Sequence, residues 1–300
     1  MEPWRYNWYR FDSEQEGECG LKPYENILLI SDLDGTLIPR GGVISEENKE
    51  ALRRFVAGGG RFAIATGRTP EAAEGYVGDL PINAPSIFFN GSMLYDWAKR
   101  EILATRPLLP AEDKTIWPRF AQEVQASFPH ACIEVYTAEN CHIISDEKYD
   151  DPRLPFEYYK YEHCSLDKLR DTEKTPWLKF FVCAEPAVLH RVERLEKKFG
   201  IDALSNSFYS EANYYEFVAA GVSKGTMVEE IRNLPEWKDY RIIAAGDYLN
   251  DNEMLKMADV GIASANAHPD TKAAANHTGC AVEDHLMVWI LDHIVGGKEA

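Results

Sequence analysis

The stretch Ile27-Leu28-Leu29-Ile30-Ser31-Asp32-Leu33-Asp34-Gly35-Thr36 runs an unbroken apolar segment into two carboxylates spaced two residues apart. A short continuous apolar run reads as a β-strand covered on both faces, the habit of parallel sheets. Downstream, Ser45 with Glu46 and Glu47 opens a helix that Gly58-Gly59-Gly60 closes. Because this triplet follows a helix instead of preceding one, it reads as a helix C-terminus and not as a nucleotide loop. Phe62-Ala63-Ile64-Ala65 is a second buried strand ending in Thr66-Gly67-Arg68, after which Thr69 and Pro70 open the next helix. Ile87-Phe88-Phe89 reads as a third strand, followed by Asn90-Gly91. This alternation predicts an α/β fold with a doubly wound parallel, Rossmann-like core.

The middle of the chain has another texture. Amphipathic strands are expected near 101–107, 131–136, 141–145, 177–183 and 213–218, with helices near 111–127 and 186–199. The alternation in Tyr214-Tyr215-Glu216-Phe217 suggests a sheet covered on one face, hence an antiparallel α+β insert. After Gly221 the buried texture returns, with a helix near 224–233, the strand Ile242–Ala245, a helix near 251–258 and the strand Val260–Ala263. The expected plan is an N-terminal extension (1–24), a core built from 25–92 and 217–300, and an inserted cap domain (93–216). A chain of 300 residues suits two domains.

Lys and Arg number 32 against 49 Asp and Glu, a net charge of −17. Such a surface repels phosphate backbones and anionic lipid, which argues against nucleic acid and membrane partners. The six cysteines (Cys19, Cys132, Cys141, Cys164, Cys183, Cys280) form no CxxC and no repeated spacing, so they read as idle thiols of a reducing compartment. No basic start followed by an apolar run opens the chain, and no apolar stretch is long enough to span a membrane. A cytoplasmic protein is expected. Nothing in the sequence speaks to its oligomeric state.

Placed on the sheet, Asp32 and Asp34 follow the first strand, Thr66 the second, and Asp247 with Asp251 the late one. Strand C-terminal ends are where open α/β sheets bind ligands. Crowded carboxylates repel, so either one holds a proton or a cation sits among them. A hard divalent ion with oxygen ligands, Mg²⁺ foremost, answers that repulsion and turns an acidic pocket into one that attracts phosphate.

The motifs SDLDGTL, IATGR, GVSKGT and AAGDYLND, with ADVGIASANAHPDTKAAA, together resemble the haloacid dehalogenase (HAD) superfamily, most closely its Cof-like class IIB sugar-phosphatase branch. The resemblance covers roughly residues 26–92 and 217–285. Two segments depart from it: Ser264-Ala265-Asn266-Ala267 stands where the family has M-G-N-A, and Glu283-Asp284-His285-Leu286 where it has E-D-G-V.

The resemblance implies Mg²⁺-dependent hydrolysis of a small phosphomonoester, a sugar phosphate foremost, through an aspartyl-phosphate. It makes Asp32 the nucleophile and Asp34 the acid and base. Mg²⁺ falls to the Asp32 and Asp247 carboxylates and the Asp34 carbonyl, with Asp251 in support. Thr66, Gly67, Lys224 and Asn250 hold the phosphoryl oxygens, and Arg68 is a further substrate-binding residue. Because Asp34 is an acid that halide loss does not need, dehalogenation is disfavoured. A phosphomutase of the same superfamily, or a non-catalytic protein binding a phosphorylated metabolite, are the alternatives. The insert is expected to roof the site and to hinge at Asn90-Gly91-Ser92 and Ala219-Ala220-Gly221.

Overall fold

A computed structural model describes residues 22–108, 115–156, 160–171 and 176–296. Most of the expected N-terminal extension and the start of the helix expected from 111 lie outside them. The strands are β1 (Ile27–Ser31), β2 (Arg61–Ile64), β3 (Ser86–Phe88), β4 (Met93–Asp96), β5 (Glu101–Thr105), β6 (Cys132–Tyr136) and β7 (Cys141–Ile144). They continue with β8 (Tyr161–His163), β9 (Lys179–Cys183), β10 (Ser205–Glu211), β11 (Tyr214–Ala219), β12 (Arg241–Gly246), β13 (Val260–Ala263) and β14 (His277–Thr278).

Five of these form a parallel sheet in the order β14-β13-β12-β1-β2. Side chains alternate across a strand, and here both faces are buried. Leu29, Phe62, Ile64 and Ile243 enter one apolar cluster, Leu28, Ile30, Ala63 and Ile242 another. That two-sided burial explains the continuous apolar runs. The helices between these strands start on sequence-encoded caps. Ser45 Oγ accepts from Asn48 N at the head of α1 (Glu46–Ala57), and Thr69 Oγ1 from Ala72 N at the head of α2 (Pro70–Val77). The glycine triplet ends α1, with Gly59 at φ +95°.

The expected third strand joins the parallel sheet only through an isolated bridge between Ala65 and Ile87. β3 instead pairs with β4, and β4 with β5, in an antiparallel three-stranded sheet. Leu94 is buried in the cluster around Ala63 and Ala65, with Leu103 and Ala104 packed against it. The β4–β5 hairpin therefore lies with the parallel core, and the chain leaves that core beyond Arg106, C-terminal to the expected boundary at residue 93.

The second large sheet has six strands in the order β10-β11-β9-β6-β7-β8, antiparallel except for the parallel pair β7–β8. Behind it lie α3 (Ile116–Ser127), α4 (Leu166–Asp171) and α5 (Pro186–Phe199). Trp117, Phe120, Phe180 and Phe217 are fully buried there, their rings 5.4–6.0 Å apart. The other face carries Tyr136, Phe181 and Tyr214, which join the apolar cluster of the parallel core. The chain then re-enters that core at α6 (Lys224–Arg232), with α7 (Asn252–Met257) following β12.

At the first expected hinge, Asn90-Gly91-Ser92 is a packed junction. Asn90 is 1% exposed and held at φ 56°, and a Cβ on Gly91 would meet the Ser223 carbonyl oxygen at 2.4 Å. Gly221, in the return crossing, has open space around it and φ +73°.

Candidate active site

β1 delivers Asp32 to the C-terminal edge of the parallel sheet, where its amide still bonds the Ala245 carbonyl of β12 at 2.9 Å. The turn that follows needs Gly35. Its φ is +85°, and a Cβ there would meet Asp247 Oδ2 at 2.3 Å. This tight turn lets Thr36 Oγ1 donate to Asp247 Oδ1 at 3.1 Å. Glycine is also required at 246, where a Cβ would meet that of Asp251 at 2.5 Å.

Lys224 arrives from the opposite side at the first position of α6, whose start is fixed by reciprocal bonds between Ser223 and Thr226. Its buried Nζ donates to Asp32 Oδ1 at 2.7 Å and to Asp251 Oδ1 at 2.6 Å. Asp251 Oδ2 accepts the amides of Asp247 and Tyr248 at 2.9 and 3.1 Å. Both oxygens of Asp251 are thus engaged, which makes it a brace for Lys224 and the Asp247 turn.

Asp32, Asp247 and Asp251 each place a carboxylate oxygen within 4.8 Å of the others. One lysine cannot neutralise three carboxylates. Burial, with Asp251 and Asp247 adding to it, pushes Asp32 well above the usual carboxylate range although Lys224 opposes the shift. Burial and Asp251 likewise push Asp247 up to about 7. For Lys224, burial works against the charge, yet Asp251 and Asp32 outweigh it and hold the ammonium protonated. A buried donor set of hard oxygens with excess negative charge fits a divalent cation such as Mg²⁺.

Two expected site residues, Asp34 and Arg68, pair with each other. The Asp34 side chain is not part of the carboxylate cluster; it takes two bonds from Arg68, Nε to Oδ2 and Nη2 to Oδ1, both 2.8 Å. Arg68 also lies over the Tyr76 ring at 4.7 Å. The residue expected on substrate is therefore bound to the residue expected to move protons. Thr66 is buried and its Oγ1 accepts the Arg68 amide at 3.1 Å, while Asn250 Nδ2 donates to Asn90 Oδ1 at 3.0 Å.

A cavity of about 520 Å³ opens over these groups. Its floor includes Asp32, Thr66 and Asp247; Tyr136, Lys179 and Tyr214 close it from the six-stranded sheet and Arg153 from the segment between β7 and β8. None of these four carries a motif, and the sequence reading missed them along with Asn90 and Glu216. The pairing of Tyr136 with Lys179 across β6 and β9 follows only from strand register.

A profile of haloacid dehalogenase-like hydrolases matches residues 29–285. The chain belongs to this family. Within the HAD-like hydrolases it is similar to the pyridoxal phosphate phosphatase of Escherichia coli (strain K12), 24% identical over 89% of this chain and 98% of the relative. A 5-amino-6-(5-phospho-D-ribitylamino)uracil phosphatase of Bacillus subtilis (strain 168) is 23% identical over 88% and 94%. Among solved structures, a HAD-like hydrolase from Bacteroides thetaiotaomicron superposes with a TM-score of 0.73 at 25% identity, covering 90% of this chain and 98% of that one. A HAD subclass IIB sugar phosphatase shares the fold, with a TM-score of 0.71 at 20% identity over 89% and 98%. This HAD chain is a phosphatase of the Cof-like branch.

Proposed function

We propose that the protein hydrolyses small phosphomonoester metabolites in the cytoplasm, with Mg²⁺, through an aspartyl-phosphate on Asp32. The observation that carries this reading is the buried Lys224 ammonium bound to Asp32 on the floor of a cavity closed by the six-stranded sheet. In this reading that sheet is the cap over the parallel core.

Asp32 and Asp247, with the Asp34 carbonyl, would hold the cation. When bound, Mg²⁺ would draw charge off the phosphoryl oxygens. The Asp32 carboxylate attacks phosphorus in line; the ester P–O bond breaks, and the departing oxygen takes a proton from Asp34. Asp34 then removes a proton from water, which attacks the acyl-phosphate phosphorus, releases inorganic phosphate and restores Asp32. Thr66 Oγ–H, Gly67 N–H, Asn250 and Lys224 face the charge that builds on the transferred group. Arg68 must release Asp34 before Asp34 can act.

For the leaving group, sugar phosphates are the first class. A second class is phosphate esters whose alcohol carries a planar ring, the kind named for the pyridoxal phosphate phosphatase relative. Among described residues no helix is long and apolar enough to cross a membrane.

The test is phosphate release from a panel of both ester classes in Mg²⁺, without a bisphosphate activator. Release without isomerised product separates hydrolase from phosphomutase. Asp32→Asn, folded by circular dichroism, should abolish it; a variant that still hydrolyses p-nitrophenyl phosphate overturns the assignment.

A further inference from the structure

The Thr66-Gly67-Arg68 loop is held almost entirely by its own neighbourhood. Thr66 N bonds the Ile87 carbonyl at 2.8 Å, while the Thr66 and Arg68 carbonyls take the amides of Asn90 and Phe89 at 3.0 and 3.1 Å. The Gly67 carbonyl is different. It accepts from Lys179 Nζ at 3.0 Å, and Lys179 stands on β9 of the six-stranded sheet. The next group on that peptide, the Arg68 amide, donates to Thr66 Oγ1 at 3.1 Å. Both ends of the Gly67–Arg68 peptide are therefore pinned, one of them from across the cavity.

This pinning leaves two donors unused. Among the described residues nothing accepts the Thr66 hydroxyl proton or the Gly67 N–H. Because Thr66 Oγ1 is occupied as an acceptor, its O–H is turned away from the Arg68 amide. Gly67 can come this close only because it has no side chain, since a Cβ would meet Asn90 Nδ2 at 2.7 Å.

Lys179 is itself locked. Its ammonium is buried, pairs with Glu216 Oε2 at 3.2 Å and lies 4.5 Å from the centre of the Tyr136 ring. Glu216 Oε2 also accepts from Asn90 Nδ2 at 2.8 Å, and Asn90 Oδ1 accepts from Asn250 Nδ2 at 3.0 Å. One ion pair of the six-stranded sheet thus reaches both the Gly67 peptide and Asn250.

We propose that Lys179 is a positioning residue that acts through the Gly67 carbonyl, so that Thr66 O–H and Gly67 N–H are aimed at the phosphoryl group only while the six-stranded sheet is seated. Roofing the cavity and completing its phosphoryl-binding donors become one event. This rests on the phosphatase reading and on the roles assigned to Thr66 and Gly67. It differs from contact with the leaving group in a measurable way. A residue that recognises the leaving group matters for some esters and not for others, whereas one that aims phosphoryl donors matters equally for all.

The experiment uses full-length protein in three forms: wild type, Lys179→Met, and Lys179→Met with Glu216→Gln. The double variant removes both buried charges, keeps an acceptor for Asn90, and guards against a fold lost to an unpaired Glu216. Turnover is measured on p-nitrophenyl phosphate, a sugar phosphate and a ring-bearing phosphate ester, with orthovanadate, which has no leaving group, as competitive inhibitor. The expected result is a kcat about 10- to 100-fold lower on all three esters. Vanadate should weaken by a similar factor, and the double variant should melt near the wild type. A double variant with wild-type kcat and vanadate affinity overturns the proposal. So does a loss confined to one ester with vanadate unchanged. Wild type inactive on every ester sinks the phosphatase reading itself, which is distinguishable because it is scored before either variant.

Discussion

Arg68 holds the carboxylate of Asp34 by two parallel hydrogen bonds of 2.8 Å, at the mouth of the cavity and outside the buried carboxylate cluster. Two-bond guanidinium–carboxylate pairs are geometrically specific. In the proposed mechanism Arg68 releases Asp34 before Asp34 acts as the acid. Asp34→Asn should lower kcat on an alkyl phosphate by about 10²- to 10⁴-fold. On p-nitrophenyl phosphate, whose leaving group needs little protonation, the loss should be smaller. Equal losses on both esters would remove Asp34 from the acid role.

Lys224 serves stability and charge neutralisation at once. Replacement by Met leaves Asp32 and Asp251 buried without their cation, a change expected to cost about 3–5 kcal/mol in urea unfolding. Turnover should fall by about 100-fold or more where the variant remains folded. Adding Asp251→Asn should restore part of the stability and none of the turnover. Restored turnover would make Lys224 a structural residue only.

The pH dependence follows from Asp247. Its pKa rises from 3.8 to about 7 through burial and Asp251, so the folded state binds this proton more tightly than the unfolded state. The associated stability is complete below pH 3.8 and is lost as the pH climbs through about 7. Asp247→Asn cannot ionise. Without metal it should melt above the wild type at pH 8 and close to it at pH 4. Added Mg²⁺ should raise the wild type at pH 8 and leave the variant unmoved. A metal-free wild type as stable as the variant at pH 8 contradicts the assignment.

Gly35→Ala tests the turn that carries the two N-terminal carboxylates. A Cβ at φ +85° is strained and lies 2.3 Å from Asp247 Oδ2. The expected cost is about 1–3 kcal/mol. Mg²⁺ affinity, followed by calorimetry, should weaken as Asp247 is displaced. Unchanged affinity would place the cation away from Asp247.

The parallel core was legible because its signals are local. Two-sided burial wrote Ile27–Ile30 as an unbroken apolar run, and Ser45 and Thr69 cap helices through atoms three residues away. β3 is legible only in part: Ile87-Phe88-Phe89 reads as one more buried strand, and Ile87 does bridge Ala65 in parallel, but only its other partners reveal the antiparallel hairpin. β10 and β8 carry polar and exposed residues with no clear period, so their place in the six-stranded sheet was hidden.

The sequence by itself determined the floor of the site. Asp32, Thr66, Lys224, Asp247 and Asp251 each stand at a strand end or helix start, and those positions are set by short-range apolar periodicity and capping. Only the tertiary structure decided which groups neutralise which. It bound Arg68 to Asp34, left three carboxylates to one lysine, and brought Lys179 to Gly67 across 112 residues and Asn90 to Glu216 across 126. Hydrogen bonds and ion pairs over such separations depend on strand register and on how one sheet seats over another, and no local pattern encodes either.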